Sequence, residues 1–159
     1  VSAGGVTEID AASKLLSSRN LLIPVHGVSR PMLRDTFAEL RGMKAHEAID
    51  IAAPRGTPVV ATDDGRVVKL FRSVAGGLTV YQFDRDEHFA YYYAHLDSYA
   101  DGLREGAMLK RGELIGFVGS TGNAAYDAPH LHFTIYQLSP GKQWWRGTPV
   151  NPYPFLGDR

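Results

Sequence analysis

The chain lacks cysteine altogether among its 159 residues. This absence excludes disulfide bonds, thiolate metal sites and a cysteine nucleophile. A charge bias is also lacking, because 17 Lys and Arg residues balance 17 Asp and Glu residues, and so no net field favours a nucleic-acid partner. No apolar run reaches the roughly 18 to 20 residues of a membrane span. Residues 1–10 lack the pattern of a signal peptide. Because the sequence starts at Val1 and not at Met, we leave open a signal or membrane anchor that was removed upstream.

Short runs of β-branched and aromatic residues, separated by turn residues, fill the chain from His46 onward and predict antiparallel β structure. A turn at 84–87 lies between two aromatic runs and predicts a hairpin. The predicted strands are IDIAA, TPVVATD, GRVVKLFRS, LTVYQFD, HFAYYYAHL, ELIGFVGS and HLHFTIYQ. The fold class we predict is mainly β, a compact antiparallel β-sheet or barrel-like sandwich with one or two short N-terminal helices.

The two N-terminal helices are predicted at residues 7–18 and 31–42. Apolar residues recur at helical spacing after Thr7 in the first, and Pro31 opens the second, which Gly42 closes. We divide the chain into an N-terminal helix or spacer at residues 1–20 and a main domain at residues 21–159. The N-terminal piece is interpreted as a spacer from an anchor, an inhibitory plug or a segment packed on the domain.

The sequence PHLHF places His130 and His132 two residues apart. On a strand, residues at this spacing project from one face, and Leu131 and Phe133 project from the other. The pattern indicates a half-buried strand whose outer face presents two imidazoles. The alternative is a chance pair on a solvated face.

The sequence HEAID begins like the zinc-binding motif H-E-x-x-H, but Asp50 replaces its second histidine. That motif requires a helix, and Pro54 would end a helix begun at His46 after about two turns. In an extended chain His46 and Asp50 would lie about 13 Å apart, so two bonds to one metal require a bend, which we place at Ala48. Glu47 then points away from the metal.

His46, Asp50 and one histidine of the PHLHF pair supply two nitrogens and one oxygen. Three protein ligands with one open position are typical of catalytic zinc, and this donor set favours Zn²⁺ over copper or nickel. His95 ends a long aromatic run. It is either a rim residue or an imidazole beside the metal that handles protons or stabilises an oxyanion.

The chain resembles the lysostaphin/LytM-type zinc metalloendopeptidases, which are peptidoglycan hydrolases with the duplicated-hybrid-motif β fold. The resemblance covers about residues 42–156 and rests on ordered motifs: H-x-x-x-D, AAPRGTPVVATDDGRVV, YAHL, GSTGNAAYDAPHLHF and VNPYPFL. It implies one Zn²⁺ per chain, held by His46, Asp50 and His132. It also implies that His95 and His130 are the two catalytic histidines, one as general base and the other as oxyanion stabiliser.

The resemblance further implies that the substrates are peptide bonds in peptidoglycan stem peptides or crossbridges, cleaved in the periplasm, the cell wall or outside the cell. We expect a monomer and no nucleic-acid partner. One departure is Ala48, where the family has glycine in H-x-G-x-D. If position 48 requires a positive φ, alanine costs about 1 kcal/mol there.

Two other classes of function are weighed against the peptidase. Relatives with eroded ligands bind and activate cell-wall amidases, but none of the five positions is eroded here. A lipoyl or biotinyl carrier needs a lysine at an exposed hairpin tip, and the tip at 84–87 has none. Trp144 and Trp145 are interpreted either as a groove wall that stacks on substrate or as packing residues.

Overall fold

The protein is seen in a computed structural model that describes residues 11–158. It contains a nine-stranded antiparallel sheet and two small two-stranded sheets. The strands are β1 Leu21–Leu22, β2 Leu40–Arg41, β3 Lys44–Ala45, β4 Ile49–Ala52, β5 Pro58–Val60, β6 Gly65–Ser73, β7 Gly77–Asp84, β8 Phe89–Tyr99, β9 Met108–Leu109, β10 Leu114–Val118, β11 His130–Leu138, β12 Gly147–Val150 and β13 Leu156–Gly157. Two short 3-10 helices span Arg30–Met32 and Tyr153–Phe155.

The main sheet has the strand order β12-β11-β8-β7-β6-β9, with β4 paired to β11 and β10 paired to both β5 and β8. It folds over itself like a sandwich and does not close into a barrel. The predicted mainly-β fold class is confirmed, and each of the seven predicted strands corresponds to an observed strand. The predicted hairpin is the turn between β7 and β8.

The core lies between the layers and is built from the inward-facing residues of alternating strands. Leu131 and Phe133 of β11 are fully buried, as are Tyr91 and Tyr93 of β8. Their neighbours His130 and His132 are only half-buried. The alternation predicted for PHLHF therefore holds, and it leaves the histidines on the open face of the sheet.

The helix predicted at residues 31–42 is wrong. Only a 3-10 turn at Arg30–Met32 forms there, and the rest turns back to make the hairpin of β2 and β3. Of the helix predicted at residues 7–18, residues 11–17 are helical, and residues 7–10 lie outside the described part. Leu16 of this helix is buried in the core cluster, while the division at residue 20 stays a prediction. Between residues 11 and 158, no helix is both long and apolar enough to cross a membrane.

Candidate metal centre

The structure brings His46, Asp50 and His132 together at the end of the open face. One ligand atom from each lies within 4.8 Å of the other two. Asp50 on β4 stands opposite His132 on β11 because the two strands pair in that register. His46 lies just before β4, and its Nε2 is 3.1 Å from Asp50 Oδ1 and 3.3 Å from His132 Nδ1.

The bend that joins His46 to Asp50 is made at Glu47. Glu47 has φ 59°, whereas Ala48 has no positive φ. The bend predicted at Ala48 is therefore one residue out of place, and the alanine there carries no left-handed strain. Instead, Ala48 is fully buried. The side chain of Glu47 is exposed, as expected of a residue without a ligand role.

Thr36 supports both ligands that flank this bend. The His46 Nδ1 lies 3.0 Å from the Thr36 carbonyl oxygen, and since a carbonyl only accepts, Nδ1 carries the proton and Nε2 is free to bind a metal. The Thr36 hydroxyl accepts a hydrogen bond from the Asp50 backbone N–H at 3.0 Å. No sequence pattern indicates this role, since Thr36 lies inside the segment predicted to be a helix.

Asp50 is the negative charge of the cluster. Its Oδ2 pairs with the Arg41 guanidinium at 2.9 Å, while its Oδ1 is buried and receives no well-formed hydrogen bond from the described residues. Burial alone would raise the pKa of Asp50, but contact with His132 and the charges of His130 and His46 hold this pKa well below its usual value. The carboxylate therefore stays ionised.

This arrangement fits a metal ion. An ionised oxygen without a hydrogen bond, buried among imidazole nitrogens, is costly unless a cation satisfies it. Two imidazoles and one carboxylate are also a donor set that suits zinc. The three residues could thus hold a metal, while the second carboxylate oxygen of Asp50 stays paired with Arg41.

His95 and His130 lie beside this cluster. The ring centroid of His95 lies 5.0 Å from that of His130 and 5.5 Å from that of His132. The Nδ1 of His95 donates to the Thr121 carbonyl at 2.8 Å, and that of His130 donates to the Ala128 carbonyl at 2.9 Å. Because the proton of each neutral ring is on Nδ1, the Nε2 is unprotonated and can act as an acceptor.

His95 reaches the open face through a β-bulge. Regular alternation would place its side chain with those of Tyr91 and Tyr93, in the core. Instead, His95 has φ 62°, and the register of β8 with β7 shifts across it, between Tyr93 and Leu96. A bulge of this kind turns a side chain to the other face. Burial lowers the pKa of His95 to about 4, so the ring is neutral at neutral pH.

All five predicted site residues line one cavity of about 340 Å³, together with Arg41, Tyr92 and the loop that follows β10. His26 and His88, to which no role was given, are exposed elsewhere on the surface. The two tryptophans lie away from this cavity. The ring centroids of Trp144 and Tyr81 lie 4.9 Å apart, and Trp145 is 62% exposed.

Comparison with known proteins identifies relatives of this chain. The profile of Peptidase family M23 matches residues 44–152. The L-Ala--D-Glu endopeptidase of Bacillus subtilis is 33% identical over 131 residues, which are 77% of this chain and 39% of the relative. The murein hydrolase activator NlpD of Escherichia coli is 31% identical over 79% of this chain and 29% of its own length. The chain thus spans well under half of these relatives.

Solved structures share the fold. Lysostaphin from Staphylococcus simulans superposes with a TM-score of 0.65 at 31% identity, covering 78% of this chain and 48% of the other. A zinc-containing peptidase from Vibrio cholerae gives a TM-score of 0.68 at 26% identity, covering 85% of this chain and 40% of the other. The resemblance drawn from the motifs is therefore confirmed.

Proposed function

Since the chain belongs to peptidase family M23, we propose that it is a zinc metalloendopeptidase that cleaves peptide bonds in the stem peptides or crossbridges of peptidoglycan. The observation that carries the proposal is the convergence of His46, Asp50 and His132 on one point, with two further histidines beside them. The relatives named endopeptidases support the reaction class.

In this proposal His46, Asp50 and His132 hold one Zn²⁺. When bound, zinc supplies Lewis acidity that polarises the scissile carbonyl and activates water. Arg41 pairs with the Oδ2 of Asp50 and leaves its Oδ1 for the metal. Thr36 fixes the His46 ring through its Nδ1 proton, so the coordinating nitrogen needs no reorientation.

We assign the proton transfers to His95 and His130 jointly. Their Nδ1 protons are committed to backbone carbonyls, so each Nε2 can accept a proton from the attacking water and return it to the leaving amine. An Nε2 that has taken up a proton can also donate to the tetrahedral oxyanion. Water adds across the peptide bond, with its oxygen on the carbonyl carbon and its protons shared between the new carboxyl and amine groups.

A second candidate is a non-catalytic regulator of cell-wall hydrolases, placed like the peptidase in the bacterial envelope. The observation in its favour is the 31% identity to the activator NlpD. Against it stand the filled ligand positions at His46, Asp50 and His132. We therefore retain the peptidase as the function that the site supports best.

The test is a digest of purified peptidoglycan with and without a chelator, analysed by mass spectrometry. We expect new amino termini that disappear with the chelator and with His130→Ala. The exposed His26→Ala variant is the matched control and should cleave like the wild type. Intact crosslinks in the presence of bound zinc would support the regulator, and absence of zinc binding would remove the metal site.

A further inference from the structure

The loop between β10 and β11, residues 119–129, supplies the backbone acceptors of both non-ligand histidines. Its Thr121 carbonyl accepts from His95 Nδ1 at 2.8 Å, and its Ala128 carbonyl accepts from His130 Nδ1 at 2.9 Å. The tautomer and direction of each imidazole are set by these bonds. Whatever holds this loop therefore determines where each Nε2 points.

Thr121, which supplies the acceptor of His95, is held by contacts of its own. The Thr121 hydroxyl donates to the Leu96 carbonyl at 2.8 Å and accepts from the Leu78 N–H at 3.1 Å. The Asn123 N–H adds a bond of 2.9 Å to the Ala75 carbonyl. The His95 end is thus tied directly to β7, to β8 and to the turn before β7.

Arg55, which lies in the turn between β4 and β5, ties the His130 end of the loop to its start, and its Nη1 also lies 3.7 Å from Asp97 Oδ1 on β8. Arg55 Nη2 donates to the Tyr126 carbonyl at 2.7 Å and to the Ser120 hydroxyl at 2.9 Å. Its guanidinium carbon also lies 4.4 Å from the centroid of the Tyr126 ring. These contacts close residues 120–126 at their base, two residues before Ala128. Tyr126 is 79% exposed, so apolar burial contributes little to holding this end.

We propose that Arg55 is a positioning residue for His130: by clamping the loop it keeps the Ala128 carbonyl where it fixes His130 with Nε2 toward the cavity. The proposal rests on the proposed peptidase function for its kinetic consequence. The geometry separates this role from metal binding, because the ligand His46 is oriented by Thr36 and not by this loop. Loss of Arg55 should therefore impair proton transfer and leave the metal in place.

The test compares Arg55→Gln and Arg55→Lys in the full chain. Arg85→Gln, a change at a 66% exposed arginine outside the loop, is the matched control. We expect Arg55→Gln to lower kcat by about 10- to 100-fold, the usual range for partners that orient a reactive imidazole, with little change in KM. Arg55→Lys should fall between, since a lysine donates as a point charge without the planar fork. Zinc affinity, measured by competition with a chromophoric chelator, should match the wild type in all three.

Nitrogen-15 NMR of the metal-free imidazoles provides the readout that does not depend on activity. In the wild type and Arg85→Gln, His130 should carry its proton on Nδ1, and in Arg55→Gln this population should fall while that of His95 is unchanged. An unaltered His130 tautomer together with unaltered kcat would overturn the proposal, as would a parallel loss of zinc affinity. If the wild type hydrolyses nothing, the proposed function fails, yet the tautomer measurement still decides the role of Arg55.

Discussion

The turn into β4 depends on one residue in the left-handed region, Glu47, followed by one fully buried residue, Ala48. In an L-residue a positive φ costs about 1 kcal/mol. Glycine at position 47 removes this strain but adds freedom to the unfolded chain, which costs about 0.4–1 kcal/mol. Glycine at position 48 adds the same freedom to the unfolded chain without relieving any strain. It also removes a buried methyl group worth about 0.8 kcal/mol.

We predict that Ala48→Gly lowers the free energy of unfolding by about 1–2 kcal/mol, whereas Glu47→Gly stays within about 0.5 kcal/mol of the wild type. Urea denaturation of the two variants measures the difference, and each variant serves as the control of the other. A stabilised Ala48→Gly would mean that position 48, and not position 47, makes the bend. In that case the glycine of the family pattern would be needed for its backbone conformation.

At the scale of elements, strand alternation could be predicted and its interruptions could not. The parity of residues in PHLHF placed His130 and His132 on one face because β11 is regular there. The same parity would have placed His95 in the core, since nothing in YYYAHL announces a bulge. The residues alone left His95 as either a rim residue or an imidazole beside the metal, and the resemblance decided for the site. The convergence of these residues is visible in the structure, while their catalytic roles remain a prediction.

The failed helix at residues 31–42 shows how local bonds can override helix start and stop signals. Pro31 and Gly42 frame the predicted helix, but the Asp35 carboxylate accepts from the Phe37 N–H, a local bond that competes with helix formation. The carbonyl of Phe37 is then taken by the N–H of Glu47. The bond to Glu47 joins segments that are not adjacent in sequence, and nothing within residues 31–42 could have indicated it.

The metal would join the turn before β4 to β4 itself and to β11. We predict that zinc raises the free energy of unfolding of the wild type, by about 4 kcal/mol at a thousandfold excess over Kd. Asp50→Asn should lose most of this gain, because it removes the charged ligand. Denaturation of each protein in zinc and in chelator gives both numbers.

The control for the zinc experiment is Asp101→Asn, at an exposed carboxylate away from the cluster, which should gain as much from zinc as the wild type. Without metal, Asp50→Asn should be less stable than the wild type, since the lowered pKa of Asp50 means that its ionised form stabilises the folded state. Equal stabilisation of Asp50→Asn by zinc would show that the metal binds elsewhere.

At the scale of the whole molecule, the N-terminal segment is attached to the sheet by Arg19. Its guanidinium contacts Asp84 at 2.8 Å, Asp86 at 3.0 Å and Asp63 at 3.4 Å. The side chain of Asp84 is fully buried, and that of Asp63 accepts from the buried Tyr91 hydroxyl at 2.8 Å. Arg19 thus neutralises two buried carboxylates that would otherwise repel each other.

We predict that Arg19→Met lowers the free energy of unfolding by about 3–5 kcal/mol, the usual cost of leaving buried charges without their partner. Arg85→Gln, at an exposed arginine 4.0 Å from Asp64, should cost less than about 1 kcal/mol. Chemical denaturation of both variants measures this. A negligible effect of Arg19→Met would favour the division at residue 20, with residues 1–20 as a separable spacer.

The pH dependence of Arg19→Met distinguishes lost charge neutralisation from lost packing. In the wild type, burial raises the pKa of Asp63, while the Tyr91 hydroxyl and Arg19 oppose that rise. Removing Arg19 therefore raises the pKa of Asp63 further, so the folded state binds more protons than the unfolded state in the acidic range. Stability then increases as the pH falls. The loss in free energy of unfolding caused by Arg19→Met should therefore shrink between pH 7 and about pH 4, near the pKa of an unperturbed aspartate. A loss that is constant with pH would mean that Arg19 acts through the packing of its aliphatic stem.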